Sequence, residues 1–314
     1  MSKQNSTNGR SVREAPTWFR GMIGLGARVA PRFTERQAAK LFLTPRLRKG
    51  KTAGELHAEL LPERAMQRRA GESEAAYPEL PTGRVALWSW GRGPTVLLVH
   101  GWSGSASDMA PMAAELVRAG YRTVLFDMPG HGGSSPRPTN LYVYLRTLEA
   151  LGSVVGPLEA VVGHSLGGTA TALALGQRLL TARRAVLLAP AVSPWAFSWD
   201  FARMIGLPAE RVPGMVARTE ELVGAKADGL NAAEAVSGLE TPAHIAHDPE
   251  DLDVPFEHST TLAAAWKGAV LVPRPGLGHR KILRDPATIR SAVEFVSARS
   301  GLTDPTASIT LAAR

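Results

Sequence analysis

The chain of 314 residues contains no cysteine. That excludes disulfide frameworks, cysteine-ligated zinc or iron–sulfur sites, and a thiol nucleophile. Long apolar runs are also scarce. The one 18-residue candidate, Ala160–Gln177, includes His164 and reads as strand, turn and helix, so no membrane-spanning helix is expected. A secretory signal finds no match, because its apolar candidate Gly21–Ala30 holds three glycines and is interrupted by Arg28. The expected location is the cytoplasm. Neither a Walker loop nor a G-x-G-x-x-G after a strand occurs, which leaves nucleotide and flavin binding without support.

Acidic residues are outnumbered at one end, where aspartate is missing. Residues 1–70 hold 11 Arg and 4 Lys against 5 Glu and no Asp, a balance of +10. The remainder carries 21 basic and 23 acidic residues, so the overall charge of +8 belongs to an N-terminal extension and the body is nearly neutral. Nucleic-acid binding is not expected of such a body. Within the extension, Thr17 to Leu43 reads as basic amphipathic helices divided by Pro31 and stopped by Pro45. Such a segment either packs on the protein's own body or lies peripherally on an anionic membrane surface.

The remaining composition, 44% hydrophobic and 20% charged, is that of a globular chain with a sizeable core. Short apolar runs recur from Gly83 onward: Val85–Trp90, Thr95–Val99, Thr123–Phe126, Ala160–Val162, Ala185–Leu188, Ala243–Ala246 and Val270–Val272. Helical patterns alternate with them at Ser107–Ala119, Tyr142–Leu151, Gly168–Leu180 and Thr260–Trp266. Buried strands alternating with amphipathic helices predict an α/β architecture, a parallel sheet with helices on both faces. The expected organisation is a partly helical extension over 1–82, a body over 83–302 and a loose tail over 303–314. The stretch 191–240 breaks the alternation and is rich in aromatics, which reads as a small lid or as ordinary helical packing.

Chemistry concentrates at strand ends. Gly163-His164-Ser165-Leu166-Gly167 lies between a predicted strand and a predicted helix. A five-residue G-x-S-x-G is common by itself. In this context it describes a sharp turn that lifts a serine hydroxyl above the sheet, where small residues on either side avoid backbone clashes. A serine nucleophile needs a histidine base, an acid that orients it and donors for an oxyanion. Asp251 follows the run Ala243–Ala246 and His279 the run Val270–Val272, giving the order Ser, Asp, His, and the N–H groups of Trp102 and Leu166 are candidate oxyanion donors. Asp248 and Asp253 stand close enough to Asp251 to replace it. His244 and His247 have metal-like spacing, but they sit in or beside a strand and lack a third ligand, so no metal is expected.

These residues carry a resemblance. His100-Gly101-Trp102-Ser103-Gly104, Asp127-Met128-Pro129-Gly130-His131-Gly132, Gly163–Gly167, Asp251 with Val254-Pro255, and Gly278-His279 resemble the α/β-hydrolase superfamily from about Gly83 to Ser300. The chain is similar to esterase- or lipase-like bacterial hydrolases with a serine nucleophile and no assigned substrate. The resemblance implies a mostly parallel eight-stranded sheet, Ser165 as nucleophile, His279 as general base and acid, and Asp251 as its orienter, three residues before Val254-Pro255. It implies no metal or organic cofactor. His100 is expected to shape the oxyanion loop, and Asp127 and His131 a structural turn. Trp102, Trp195, Phe197 and Trp199 suggest an apolar pocket and therefore a small-molecule carboxylic ester with a short to medium acyl chain. Open alternatives are an aminopeptidase or amidase with Asp200 as its amine-binding acid, a thioesterase or carbon–carbon hydrolase, and a membrane-surface or partner-binding protein acting through the extension. Oligomeric state is not readable from the sequence.

Overall fold

The computed structural model describes residues 14–45, 74–76, 78–224, 226 and 230–298. The expectations for the polar start of the chain, for the basic segment after Pro45 and for the tail from Thr303 fall outside these residues. In chain order the strands are β1 (Glu74–Ala76), β2 (Glu79–Leu80), β3 (Gly83–Arg84), β4 (Leu87–Trp90), β5 (Thr95–Val99), β6 (Arg122–Phe126), β7 (Leu158–His164), β8 (Ala182–Leu188), β9 (Ala243–His247) and β10 (Ala269–Pro273). Eight of them form one sheet in the order β1-β4-β6-β5-β7-β8-β9-β10. β1 and β4 are antiparallel to their neighbours, and every pairing from β6 through β10 is parallel. β2 and β3 make a separate hairpin.

Side-chain alternation along the central strands divides two cores. On β5, Leu97 and Val99 point into one and Val96 and Leu98 into the other; on β8, Leu187 opposes Val186 and Leu188. Because both faces are covered, the central strands read as unbroken apolar runs. The first core is closed by the helices Leu141–Val155, Leu166–Gly176 and Phe256–Ala265, the second by Ala110–Arg118 and Pro286–Ser297. In Leu166–Gly176 all ten residues from Leu166 to Leu175 are buried, so small Gly, Ala and Thr side chains let the helix sit deep against the sheet.

One boundary differs from the sequence-based expectation. The sheet reaches back to Glu74, because the short β1 pairs with Leu87–Ser89 and covers the edge of β4. The predicted body start at Gly83 is therefore too late. The insertion after β8 holds the helices Pro194–Ile205 and Val212–Val223, and these form a third core with the extension. Helices Thr17–Val29 and Pro31–Phe42 dock there through Ile23, Ala27, Ala38 and Ala39 against Ala202, Ile205, Leu207, Val212, Met215 and Val216. The extension thus rests on the insertion, with Phe42 edge-on to Phe201 at 5.1 Å.

Candidate active site

β7 delivers Ser165 into the helix Leu166–Gly176 with φ 53° and ψ −123°, a backbone conformation that costs an ordinary residue about 1–3 kcal/mol. Close packing holds the turn. A Cβ on Gly163 would lie 2.6 Å from the Gly167 carbonyl oxygen, and one on Gly167 would lie 2.5 Å from the carbonyl oxygens of Val99 and His100. Only glycine fits at either position. The Ser165 N–H donates to Leu188 O (2.9 Å), which ties the turn to the end of β8.

The structure brings Ser165, His279 and Asp251 together. Ser165 Oγ donates to His279 Nε2 at 2.8 Å, and His279 Nδ1–H donates to Asp251 Oδ2 at 2.7 Å. The Asp251 carboxylate is buried and fully engaged. Oδ1 accepts the N–H groups of Asp253 (2.8 Å) and Val254 (3.0 Å), and Oδ2 also accepts from His247 Nε2–H at 3.2 Å. Burial raises the carboxyl pKa, but the hydrogen bonds from His247 and His279, the His279 charge and the Val254 N–H outweigh it and hold Asp251 well below the usual carboxylate range. Asp248 takes another part: its carboxylate accepts the N–H groups of Gly278 and, at 2.9 Å, Glu250, and so fixes the turn that presents His279.

His247 is the participant that sequence reasoning missed. Its Nε2–H donates to Asp251 and to Val254 O (3.1 Å), which leaves Nδ1 to accept from the buried Ser259 hydroxyl at 2.7 Å. The acid is therefore gripped by two histidines. The metal-like pair is separated by the strand: His244 stacks on Phe295 and His247 on Phe256, which belong to helices on opposite faces. Asp251, Asp253 and His279 do lie close enough for three ligand atoms to meet within 4.8 Å. However, Asp251 and His279 already spend those atoms on each other and on Ser165 and His247.

The loop after β5 faces the serine. A Cβ on Gly101 would approach Ser165 Cβ to 2.9 Å, so the peptide carrying the Trp102 N–H sits beside the hydroxyl. Leu166 is the first residue of its helix, and its N–H has no acceptor within the helix. The loop is fixed from beneath. His100 Nδ1–H donates to Gly101 O (2.8 Å) and Nε2 accepts the Met128 N–H (2.9 Å), while His131 Nε2 accepts the N–H of Ser103 (3.1 Å), itself at φ 55°. Asp127 accepts the N–H groups of Ala106 (2.7 Å) and Gly133 (2.8 Å). Burial, reinforced by His100, lowers the His131 pKa to about 3, and burial with the His279 charge does the same for His164. Both rings stay neutral, and His164 Nε2–H donates to the His279 carbonyl at 2.8 Å.

The proposed pocket residues stand on two elements, Trp102 on the loop after β5 and the others on the helix Pro194–Ile205. Trp102 packs against the first core and edge-on to His131 at 5.7 Å. Trp199 is exposed and Phe197 half-buried on the insertion, and the Trp195 side chain lies outside the described residues. Asp200 accepts from Arg203 at 2.5 Å in a surface pair three residues apart, a poor location for an amine-binding acid.

The described helices include none long and apolar enough to cross a membrane. A sequence model of the alpha/beta hydrolase fold matches residues 94–244. A human serine hydrolase-like protein is 35% identical over 96 residues, covering 28% of this chain and 47% of that protein. A pimeloyl-[acyl-carrier protein] methyl ester esterase from Aeromonas salmonicida is 35% identical over 94 residues, covering 30% and 37%. The chain thus spans less than half the length of these curated relatives. Among solved structures, an esterase from Pyrococcus furiosus superposes with a TM-score of 0.59 at 17% identity, covering 81% of this chain and 95% of that one. An esterase from Exiguobacterium antarcticum gives 0.57 at 15% identity, covering 72% and 100%. The parallel sheet with its antiparallel edge, the serine at the turn after β7 and these likenesses agree: the chain has the α/β-hydrolase fold.

Proposed function

We propose that the protein is a serine hydrolase acting on carboxylic esters. The observation that carries this reading is the continuous relay from Ser165 Oγ through His279 to Asp251, with bonds of 2.8 and 2.7 Å, on a serine held in a strained turn. Ser165 Oγ attacks the ester carbonyl carbon while His279 Nε2 takes its proton, and the N–H groups of Leu166 and Trp102 stabilise the oxyanion. Collapse breaks the bond to the leaving alcohol, which receives the proton from His279. Water then attacks the acyl-enzyme, His279 again accepts and returns a proton, and the acid leaves. Asp251 stays ionised and supports the imidazolium. Esters with a short to medium apolar acyl chain are the proposed substrates, supported by Trp102 beside the nucleophile loop.

A fluorophosphonate probe followed by intact-mass measurement tests the nucleophile. The expected result is one adduct on the wild type and none on Ser165→Ala; an unlabelled, folded wild type would overturn the reading. A p-nitrophenyl ester series from acetate to laurate then tests the acyl chain, and a clear preference for charged or peptide substrates would reject the ester class.

A further inference from the structure

The docking of helices Thr17–Val29 and Pro31–Phe42 leaves much of their apolar surface uncovered. Ile23, Ala27, Ala38 and Ala39 face the protein, whereas Trp18 (72% exposed), Met22 (53%), Leu25 (64%) and Val29 (76%) face solvent. Their spacing of four, three and four residues puts all of them on one helical stripe, and Phe33 (65% exposed) is a further exposed apolar residue at the start of the second helix. A contiguous apolar surface of this kind marks an interaction site, unlike scattered single residues. Charge selects the partner. Arg28, Arg32, Arg36 and Lys40 are exposed on the two helices, while their one acid, Glu35, is buried against Arg211 at 3.5 Å. Arg20 is engaged with Glu14. Every exposed charge on this helical pair is therefore positive.

We infer that this face docks on an anionic lipid surface, with Trp18, Met22, Leu25, Val29 and Phe33 entering the headgroup–acyl boundary and Arg28, Arg32, Arg36 and Lys40 meeting lipid phosphates. An apolar stripe flanked by cations is what an interfacial helix requires. A second copy on the same face would bring four cations of each copy together, and a nucleic acid would make no use of the apolar stripe.

The test is co-sedimentation of the full chain with phosphatidylcholine vesicles and with vesicles holding about one-third phosphatidylglycerol, at low and high salt. Two triple variants accompany the wild type: Trp18→Ser/Leu25→Ser/Val29→Ser, and Arg28→Glu/Arg32→Glu/Arg36→Glu. All six positions are exposed, so circular dichroism and thermal unfolding should stay at wild-type values. The wild type is expected to bind the anionic vesicles alone and to be released by salt. Each basic residue near such a surface contributes about fivefold to partitioning, so the charge-reversed variant should lose at least about 100-fold. The serine variant should lose at least about tenfold. Equal binding to both vesicle types, no binding, or binding indifferent to both variants would overturn the proposal. So would a wild-type dimer that the serine variant dissolves, or tighter binding to RNA that only charge reversal removes.

Discussion

The turn after β7 that carries Ser165 and the helical pair at Thr17–Phe42 dispose of apolar residues in opposite ways. Around the serine, the helix Leu166–Gly176 buries nearly everything it has, and the backbone accepts strain and glycine-tight contacts to hold one hydroxyl in place. On the helical pair, Ile23 and three alanines enter the core, while Trp18, Met22, Leu25, Val29 and Phe33 are left in water. The first region spends packing on precision, whereas the second keeps apolar surface unburied. A region read by its own packing is a centre of structure; one whose larger apolar residues face outward is complete only with something else.

Substitutions can break this contrast, and the largest effect belongs to the acid. Asp251→Asn should lower kcat by about 10⁴-fold, because the histidine loses its orienting charge, whereas Asp248→Asn should cost less than about tenfold. Steady-state kinetics on both variants decides, and similar losses would mean that the wrong acid has been assigned. Adding one methyl group should have opposite signs in the two regions. Gly167→Ala places a Cβ 2.5 Å from two carbonyl oxygens and should destabilise by about 3 kcal/mol. Gly21→Ala meets nothing within 4 Å in an exposed helix and should stabilise by about 0.5–1 kcal/mol. Urea unfolding midpoints would show a shared sign if the comparison fails.

Acid should act on the packed region. His131 and His164 have folded pKa values of about 3 against an ordinary 6.5. Below pH 6.5 the unfolded chain therefore binds protons that the folded chain refuses. The stability they confer is full above that pH and declines as pH falls toward 3, by up to about 1.4 kcal/mol per unit for each ring. Between pH 6.5 and 5.5 the loss should approach about 2 kcal/mol. A flat denaturant midpoint over that interval would mean that both rings protonate freely in the folded protein. The smallest effect is expected at His247. His247→Ala removes one of four donors to Asp251 and should lower kcat by about tenfold with little change in KM. His247→Gln, which keeps a donor, should restore part of it; a purely structural role would move stability and leave kcat alone.

Legibility in the sequence followed local determinism. The apolar run Thr95–Val99 coincides with β5, and Ser165, Asp251 and His279, each placed after an apolar run, are hydrogen-bonded in series. Strand ends were underestimated where charge enters the ladder. β8 continues back to Ala182 because Arg184 is buried and paired with Glu159 on the adjacent β7, a compensation between strands that no local pattern reveals. β1, Glu-Ala-Ala, has no strand character of its own and exists by pairing with β4. The two histidines of His244-Ile245-Ala246-His247 invited comparison with each other, but in a strand residues three apart point to opposite faces. The true partner of His247 lies four residues onward, beyond the strand end. Which face of the helical pair turns outward depended on the insertion it meets, some 170 residues away in sequence.

One hydrogen bond lends the site a mechanical property. His164, the last residue of β7, holds the main-chain oxygen of His279, although β8 and β9 lie between β7 and β10. The neighbour of Ser165 is thus clamped to the backbone of His279, like a tie-rod across two intervening planks. Sliding of β9 or β10 along β7 is resisted at the point where it would pull Ser165 and His279 apart. The alignment of proton donor and acceptor is in this way insulated from the slow breathing of the sheet beneath it.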